Sequence, residues 1–280
     1  MEYLERRRSL VEDRIGEVLD RVEPTTLADR VEHVTLSGGK RVRPTVTILA
    51  CETVGGTPED AVDFAVGVEL IHNASLVIDD IIDESTVRRG TQSAWAAFGH
   101  GPAVIASDGL IGEAFALFSP SSRAMERVAE AMVKLGEGEA TELVAQPTNE
   151  REYVELARRK TGALFRAAAE LGGIAADADA DTVDALGRYA ERVGIAFQIR
   201  DDVLDATADP DDLGKPTGQD AAMERPSLVR VADLDAAESN ARARQRADDA
   251  MEALDEVEVV DPTARDYLAD LATFVVTREH

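Results

Sequence analysis

Apolar residues recur at helical spacing along almost the whole chain and rarely alternate. From Leu4 to Val22 they stand among charges at intervals of three and four, which predicts an amphipathic helix that Pro24 interrupts. Thr45 to Val54 is apolar enough for a buried helix. Gly55-Gly56-Thr57-Pro58-Glu59-Asp60 then reads as a stop, an N-cap and an acidic first turn, opening a long helix from Pro58 to about Asp83. Gly90, Gly99 and Gly101-Pro102 break the chain before an apolar helix from Ala103 to Phe118. Pro120-Ser121-Ser122 starts another, to about Leu143, and Pro147-Thr148-Asn149-Glu150 the next, to about Ala175. Asp179 to Asp205 is helical again. Asp209-Pro210 and Gly214-Lys215-Pro216 form a loop, and helices from Asp233 to Leu254 and from Pro262 to Thr277 close the pattern. No convincing strand, fixed-period repeat or disordered linker interrupts the series. The expectation is a single all-α domain over residues 1–280, built as a helical bundle.

Composition narrows the classes. The chain has 280 residues, 44% of them hydrophobic, enough for a sizeable core. No apolar run reaches the roughly 18 residues of a membrane span, so no integral membrane segment is expected. Met1-Glu2-Tyr3-Leu4-Glu5-Arg6-Arg7-Arg8 leads into a charged amphipathic pattern and not into an apolar signal segment. Cys51 is the one cysteine, which excludes an intramolecular disulfide and fits a cytoplasmic protein; its apolar setting makes it a small core residue. The net charge of −25 argues against nucleic acid as a partner. Lysine occurs only as Lys40, Lys134, Lys160 and Lys215 among 30 basic residues. Such acid-rich, lysine-poor surfaces suit the high-salt cytoplasm of a halophile, where screening relieves self-repulsion; drift in a GC-rich genome is the alternative.

Against this background one acidic pattern occurs twice. Asp79-Asp80-Ile81-Ile82-Asp83 and Asp201-Asp202-Val203-Leu204-Asp205 are both D-D-x-x-D within apolar stretches. On a helix, residues i and i+4 share a face, so Asp79 stacks on Asp83 and Asp201 on Asp205. Carboxylates this close repel unless a cation lies between them. Hard oxygen donors suit Mg²⁺, which keeps several waters and completes its shell with substrate phosphates. Two facing clusters would hold a magnesium–diphosphate between them. A solvated acidic face is the competing reading, and it weakens when both copies sit among apolar residues.

The flanking residues supply cations. In Gly38-Gly39-Lys40-Arg41-Val42-Arg43-Pro44, two glycines allow close approach of backbone to ligand and three cations follow, a diphosphate grip or a basic surface loop. His72 lies two turns before Asp79 on the same helix, where it could donate to a phosphate oxygen or sit satisfied in the core. Arg88-Arg89-Gly90 follows the first cluster and could neutralise metal-held phosphates, or cap the helix. Together with Glu69-Leu70-Ile71-His72-Asn73-Ala74-Ser75-Leu76, Lys160-Thr161-Gly162-Ala163-Leu164-Phe165, Phe197-Gln198-Ile199-Arg200-Asp201-Asp202 and Gly214-Lys215-Pro216-Thr217-Gly218, these motifs in this order resemble the polyprenyl synthetase family, the trans-isoprenyl diphosphate synthases. The resemblance spans nearly the whole chain. Three of the four lysines fall on its motifs.

The resemblance implies an all-α bundle around a deep central cavity, usually a homodimer. It implies a prenyltransferase that condenses isopentenyl diphosphate with an allylic diphosphate, head to tail. Asp79, Asp80 and Asp83, with Asp201, Asp202 and Asp205, would bind Mg²⁺, three ions per active site with substrate bound. Arg88, Lys160 and Lys215 would contact the allylic diphosphate. Gly39, Lys40, Arg43, His72 and Arg89 would hold isopentenyl diphosphate, and Thr161 and Gln198 would line the reaction centre. Three departures stand out: Ser107-Asp108 and Gly138-Glu139 replace the usual Gly-Asp and Gly-Gln, and Ala222-Met223-Glu224-Arg225-Pro226-Ser227 replaces a Gly-Lys-x-Thr segment. For product length, Ile71, Ala74 and Ser75 precede the first cluster. Ala74 and Ser75 are small, and Phe115 and Phe118 on the next helix would provide a deeper floor. Geranylgeranyl diphosphate is the expected product, with farnesyl or longer products as alternatives. A terpene cyclase and a catalytically silent partner subunit are the rival classes; the first lacks the Gly-Gly-Lys-x-x-Arg-Pro grip and the second tends to lose an acidic cluster.

Overall fold

The computed structural model describes residues 2–207 and 226–278. The helices are α1 (Glu2–Leu19), α2 (Thr25–Thr35), α3 (Val42–Thr53), α4 (Pro58–Ile82), α5 (Ala94–Phe98), α6 (His100–Phe118), α7 (Ser122–Ala140), α8 (Glu150–Ala157), α9 (Ala163–Ala175) and α10 (Ala180–Thr207). After the undescribed stretch come α11 (Leu228–Val231), α12 (Ala236–Leu254) and α13 (Pro262–Thr277). Two π-helical turns, Thr141–Ala145 and Arg158–Gly162, follow α7 and α8. A two-stranded hairpin, β1 (Val87–Arg88) and β2 (Thr91–Gln92), is the sole sheet among the described residues.

The starts of these helices follow local chemistry. Pro58 opens α4, and the Asp60 carboxylate accepts from both the backbone N–H (2.9 Å) and the hydroxyl (2.7 Å) of Thr57. Asp235 and Glu238 cap α12 reciprocally, and Asp261 caps α13 ahead of Pro262. Several elements depart from the sequence expectation: the short helices α5 and α11 form where none was expected, a π turn divides the expected helix from Glu150 to about Ala175, and two further departures bear on the site. The segment after Pro24 forms α2, an eleven-residue helix. The turn after the first acidic cluster is a hairpin whose two-residue loop, Arg89-Gly90, has φ of 52° and 78°, the left-handed pair of a type I′ turn.

Helices α3, α4, α9 and α10 form the centre. Helix α4 packs on α3, α6 and α9, and α10 lies between α9 and α12. The largest apolar cluster runs from Val11 and Ile15 of α1 through Leu70 and Ile71 of α4 and Leu171 of α9 to Leu268 of α13. Cys51 is fully buried in it, and burial pushes its thiol up to about 12, the state of a core residue. Helices α4 and α6 are long and apolar enough to cross a membrane by composition. In α4 the apolar residues pack into the protein core, whereas only 33% of the most apolar window of α6 is buried.

Candidate active site

A cavity of about 340 Å³ opens between the ends of the central helices. Helix α4 contributes His72, Ser75, Leu76 and Asp79, with Asp83 as its C-cap, and α10 contributes Phe197, Gln198, Asp201, Asp202 and Asp205. Leu135, Glu139 and Glu142 come from α7 and the turn after it, and Lys160 and Thr161 from the second π turn; Arg43 and Arg88 close the ring. Asp79 and Asp83, one helical turn apart, thus share a cavity with Asp201 and Asp205. Lys215 lies outside the described residues, as does Arg225.

The middle carboxylate of each cluster is differently employed. Asp80 is buried, and one of its oxygens accepts from Arg88 Nε (3.0 Å) and Nη2 (2.5 Å). Unlike Asp202, it does not line the cavity; its carboxylate is taken up by Arg88 of the hairpin. Asp202, also buried, accepts from the Tyr153 hydroxyl, from Gln198 Nε2 (2.9 Å) and from the Leu228 amide (3.2 Å). Gln198 in turn accepts from the Thr161 hydroxyl (2.7 Å), so a polar chain ties the π turn to α10. Tyr153 carries no motif, and its role comes from α8 packing beside α10. Among the described residues, no three His, Cys, Asp or Glu are gathered as a preformed metal cluster. The two acidic clusters nonetheless turn carboxylate oxygens into the cavity, the hard donors that Mg²⁺ or Ca²⁺ favours.

The cations sort by position. Of the expected grip, Arg41 is a buried structural residue that pairs with Glu69 at 2.8 Å and donates to the Thr35 carbonyl. Arg43 lines the cavity over the Phe165 ring (4.6 Å), and burial lowers its guanidinium to about 10. Lys40 is exposed and does not line the cavity. Gly39 has φ of +137°, and a Cβ there would come within 3.0 Å of the Arg89 guanidinium, so glycine serves both backbone and packing. Arg89 donates to the Gly38 carbonyl and to Asn73 Oδ1. Arg43 Nε and Asn73 Nδ2 are buried donors with no partner. Burial, then Arg43, Arg89, Arg88 and Arg41, push the His72 imidazole well below the ordinary histidine range, so it is neutral near pH 7.

Lys160 sits in a carboxylate pen. Its ammonium is 3.3 Å from Glu139 and in direct contact with Glu142. Burial disfavours its charge, but Glu142, Glu139 and Asp79 together raise it above the ordinary lysine value. Two π turns make the meeting possible, since each displaces the helix by a residue where Glu142 and Lys160 lie. Gly138 lets α7 approach: a Cβ there would lie 2.9 Å from the Lys160 amide nitrogen.

The expected chain-length residues divide. Ser75 is on the cavity wall. Ile71 and Ala74 are buried in the core and do not line the cavity. Phe118 is fully buried against Gly67 and 6.1 Å from Phe64, three helical turns below Asp79, and Phe115 packs partly buried against the same core.

The polyprenyl synthetase family model matches residues 24–263. A short chain isoprenyl diphosphate synthase of Methanothermobacter thermautotrophicus is 35% identical over 253 residues, covering 87% of this chain and 78% of that protein. The crystal structure of geranylgeranyl pyrophosphate synthetase from Pyrococcus horikoshii superposes with a TM-score of 0.91 at 33% identity, over 99% of this chain and 98% of that one. A polyprenyl synthase from Caulobacter crescentus, solved with calcium and isoprenyl diphosphate, superposes with a TM-score of 0.88 at 27% identity, over 100% and 98% of the two chains. The all-α architecture, the twin acidic helices and these likenesses agree: the chain belongs to the polyprenyl synthetase family and is a prenyltransferase that condenses isopentenyl diphosphate with an allylic diphosphate.

Proposed function

We propose that this enzyme elongates an allylic diphosphate to geranylgeranyl diphosphate, with the allylic diphosphate held in the cavity between α4 and α10. The observation that carries the reading is the convergence on one cavity of Asp79 and Asp83 with Asp201 and Asp205, ringed by Arg43, Arg88 and Lys160. Those four carboxylates, with Asp80 and Asp202 beside them, would hold Mg²⁺, three ions per site with substrate; Asp80 and Asp202 also orient Arg88 and Gln198. Bound Mg²⁺ supplies charge neutralisation for the departing diphosphate. Arg88 and Lys160, with Lys215, bind the same oxygens. Arg43, His72 and Arg89, with Gly39 and Lys40, hold isopentenyl diphosphate, and the unpaired donors of Arg43 and Asn73 suit an anion. Neutral His72 donates one hydrogen bond. Thr161 and Gln198 line the reaction centre, and alignment of the double bond with the allylic carbon does the rest. No protein nucleophile takes part.

The product reading rests on Ser75 at the cavity wall and on Phe118, which packs against Gly67 about 18 Å below Asp79 along α4, beneath the cavity wall and not on it. Replacing Asp79 or Asp201 by Ala is expected to reduce turnover by orders of magnitude with an unchanged circular dichroism spectrum. Near-normal turnover in either variant would refute the carboxylate assignment.

The enzyme is read as a homodimer joined through α6. Val104, Ile105 and, on α7, Val133 are exposed apolar residues, and α6 carries few charges to hydrate its outer face. A second copy presenting the same face is self-complementary. Ile105→Glu is expected to shift the sedimentation coefficient to that of a monomer; an unaltered dimer would exclude this face.

A further inference from the structure

Arg278, just beyond α13, reaches the second acidic cluster. Its Nη2 donates to Asp201 Oδ1 at 2.9 Å, and its guanidinium stacks over the Phe197 ring at 4.0 Å. The side chain is 7% exposed, whereas that of Asp201 is 41% exposed. The backbone is fixed too: the Arg278 carbonyl accepts from Arg200 Nε (3.1 Å) and Nη2 (2.6 Å), and Arg200 is itself braced on Asn240 (2.8 Å). A loosely attached surface arginine would not show these contacts. Burial of a guanidinium is costly unless it is paired, and here its Nε is buried with no acceptor. Asp201 therefore bears most of the compensation for that burial.

The first two carboxylates of this cluster are thus treated differently. Asp202 is satisfied by Tyr153, Gln198 and the Leu228 amide, none of which a metal at the cavity needs to displace. Asp201, which the reading above makes a metal ligand, is held by a cation from another element. We propose that Arg278 is an internal counter-ion for the second acidic cluster, holding Asp201 in the metal-free enzyme and competing with the divalent metal for its carboxylate. The proposal rests on Asp201 as a ligand. By linkage, a metal that takes Asp201 must loosen Arg278, and removal of Arg278 must tighten the metal.

The test uses Mn²⁺ as probe, with inorganic diphosphate saturating, and reads free Mn²⁺ by electron paramagnetic resonance. Arg278→Ala is expected to bind Mn²⁺ about three- to tenfold more tightly than wild type, the range a partly exposed charge-assisted pair supplies. Arg278→Lys keeps a cation and is expected to stay near wild type. Asp201→Asn separates the two claims. If it leaves Mn²⁺ affinity unchanged, the ligand assignment fails. If it weakens Mn²⁺ while Arg278→Ala leaves affinity unchanged or lowers it, the counter-ion proposal alone is overturned. Amide exchange in the wild type supplies a second reading independent of any variant's stability. The Arg278 amide, bonded to the Phe274 carbonyl at 3.0 Å, is expected to exchange faster once Mn²⁺ and diphosphate are bound. Slower or unchanged exchange there would overturn the proposal.

Discussion

At the scale of single residues, position round the helix decides what a carboxylate does. The repeated D-D-x-x-D is visible in the sequence, and so is the stacking of its first and last members. What spacing cannot supply is the partner of the middle Asp. Asp80 meets Arg88 because a hairpin turns back onto α4, and Asp202 meets Tyr153 because α8 packs beside α10. Lys160 is a similar case: its motif is legible, but not the two glutamates around it, which arrive from the end of α7 and the π turn after it. Glu139 lines the cavity beside Lys160 where the family motif usually has glutamine, and in the proposed site it would place an additional negative charge near the allylic diphosphate. Glu139→Gln leaves Glu142 to hold Lys160 and removes that charge. The allylic KM is expected to fall by roughly tenfold with little change in kcat. Steady-state kinetics at saturating isopentenyl diphosphate check this, and an unchanged or raised KM would show that Glu139 exerts no such repulsion.

At the scale of elements, the long helices are legible because their periodicity and caps agree. Pro58 with Thr57 and Asp60, and Pro262 with Asp261, mark starts that sequence and structure share. Helix α2 was hidden because Pro24 reads as an ending, although its chain continues into a helix after the break. The hairpin was hidden because two-residue strands leave no alternation to detect. The π turns leave no periodic signature either, yet they carry Lys160 and Thr161. Packing also separates two small residues that look alike in sequence. Ser75 faces the cavity, whereas Ala74 is buried against α6, where its carbonyl accepts from the Ser107 hydroxyl. Ser75→Phe is expected to shorten the product with stability nearly unchanged. Ala74→Phe overpacks the α4–α6 contact and is expected to lose about 1–3 kcal/mol of stability. Product sizing and denaturant melts on the pair check both; an unshortened product from Ser75→Phe would put the floor elsewhere.

At the scale of the molecule, the arrangement is a set of central helices whose ends bring two acidic clusters into one cavity within an otherwise apolar bundle. The charge of −25 is a property of the whole surface and does not identify the site. The bundle locates it, because α4 and α10 both expose one helical face at the same end. The central claim is that this cavity performs prenyl transfer to a defined depth. The most direct measurement is a product assay with the purified protein in Mg²⁺ and high salt. Isopentenyl diphosphate is offered with labelled dimethylallyl, geranyl or farnesyl diphosphate, and the dephosphorylated products are sized. The account predicts elongation from an allylic primer and a series that stops at geranylgeraniol. A longer end point would contradict Phe118 as the floor, and no elongation from any primer by the folded protein would contradict the assignment of the cavity itself.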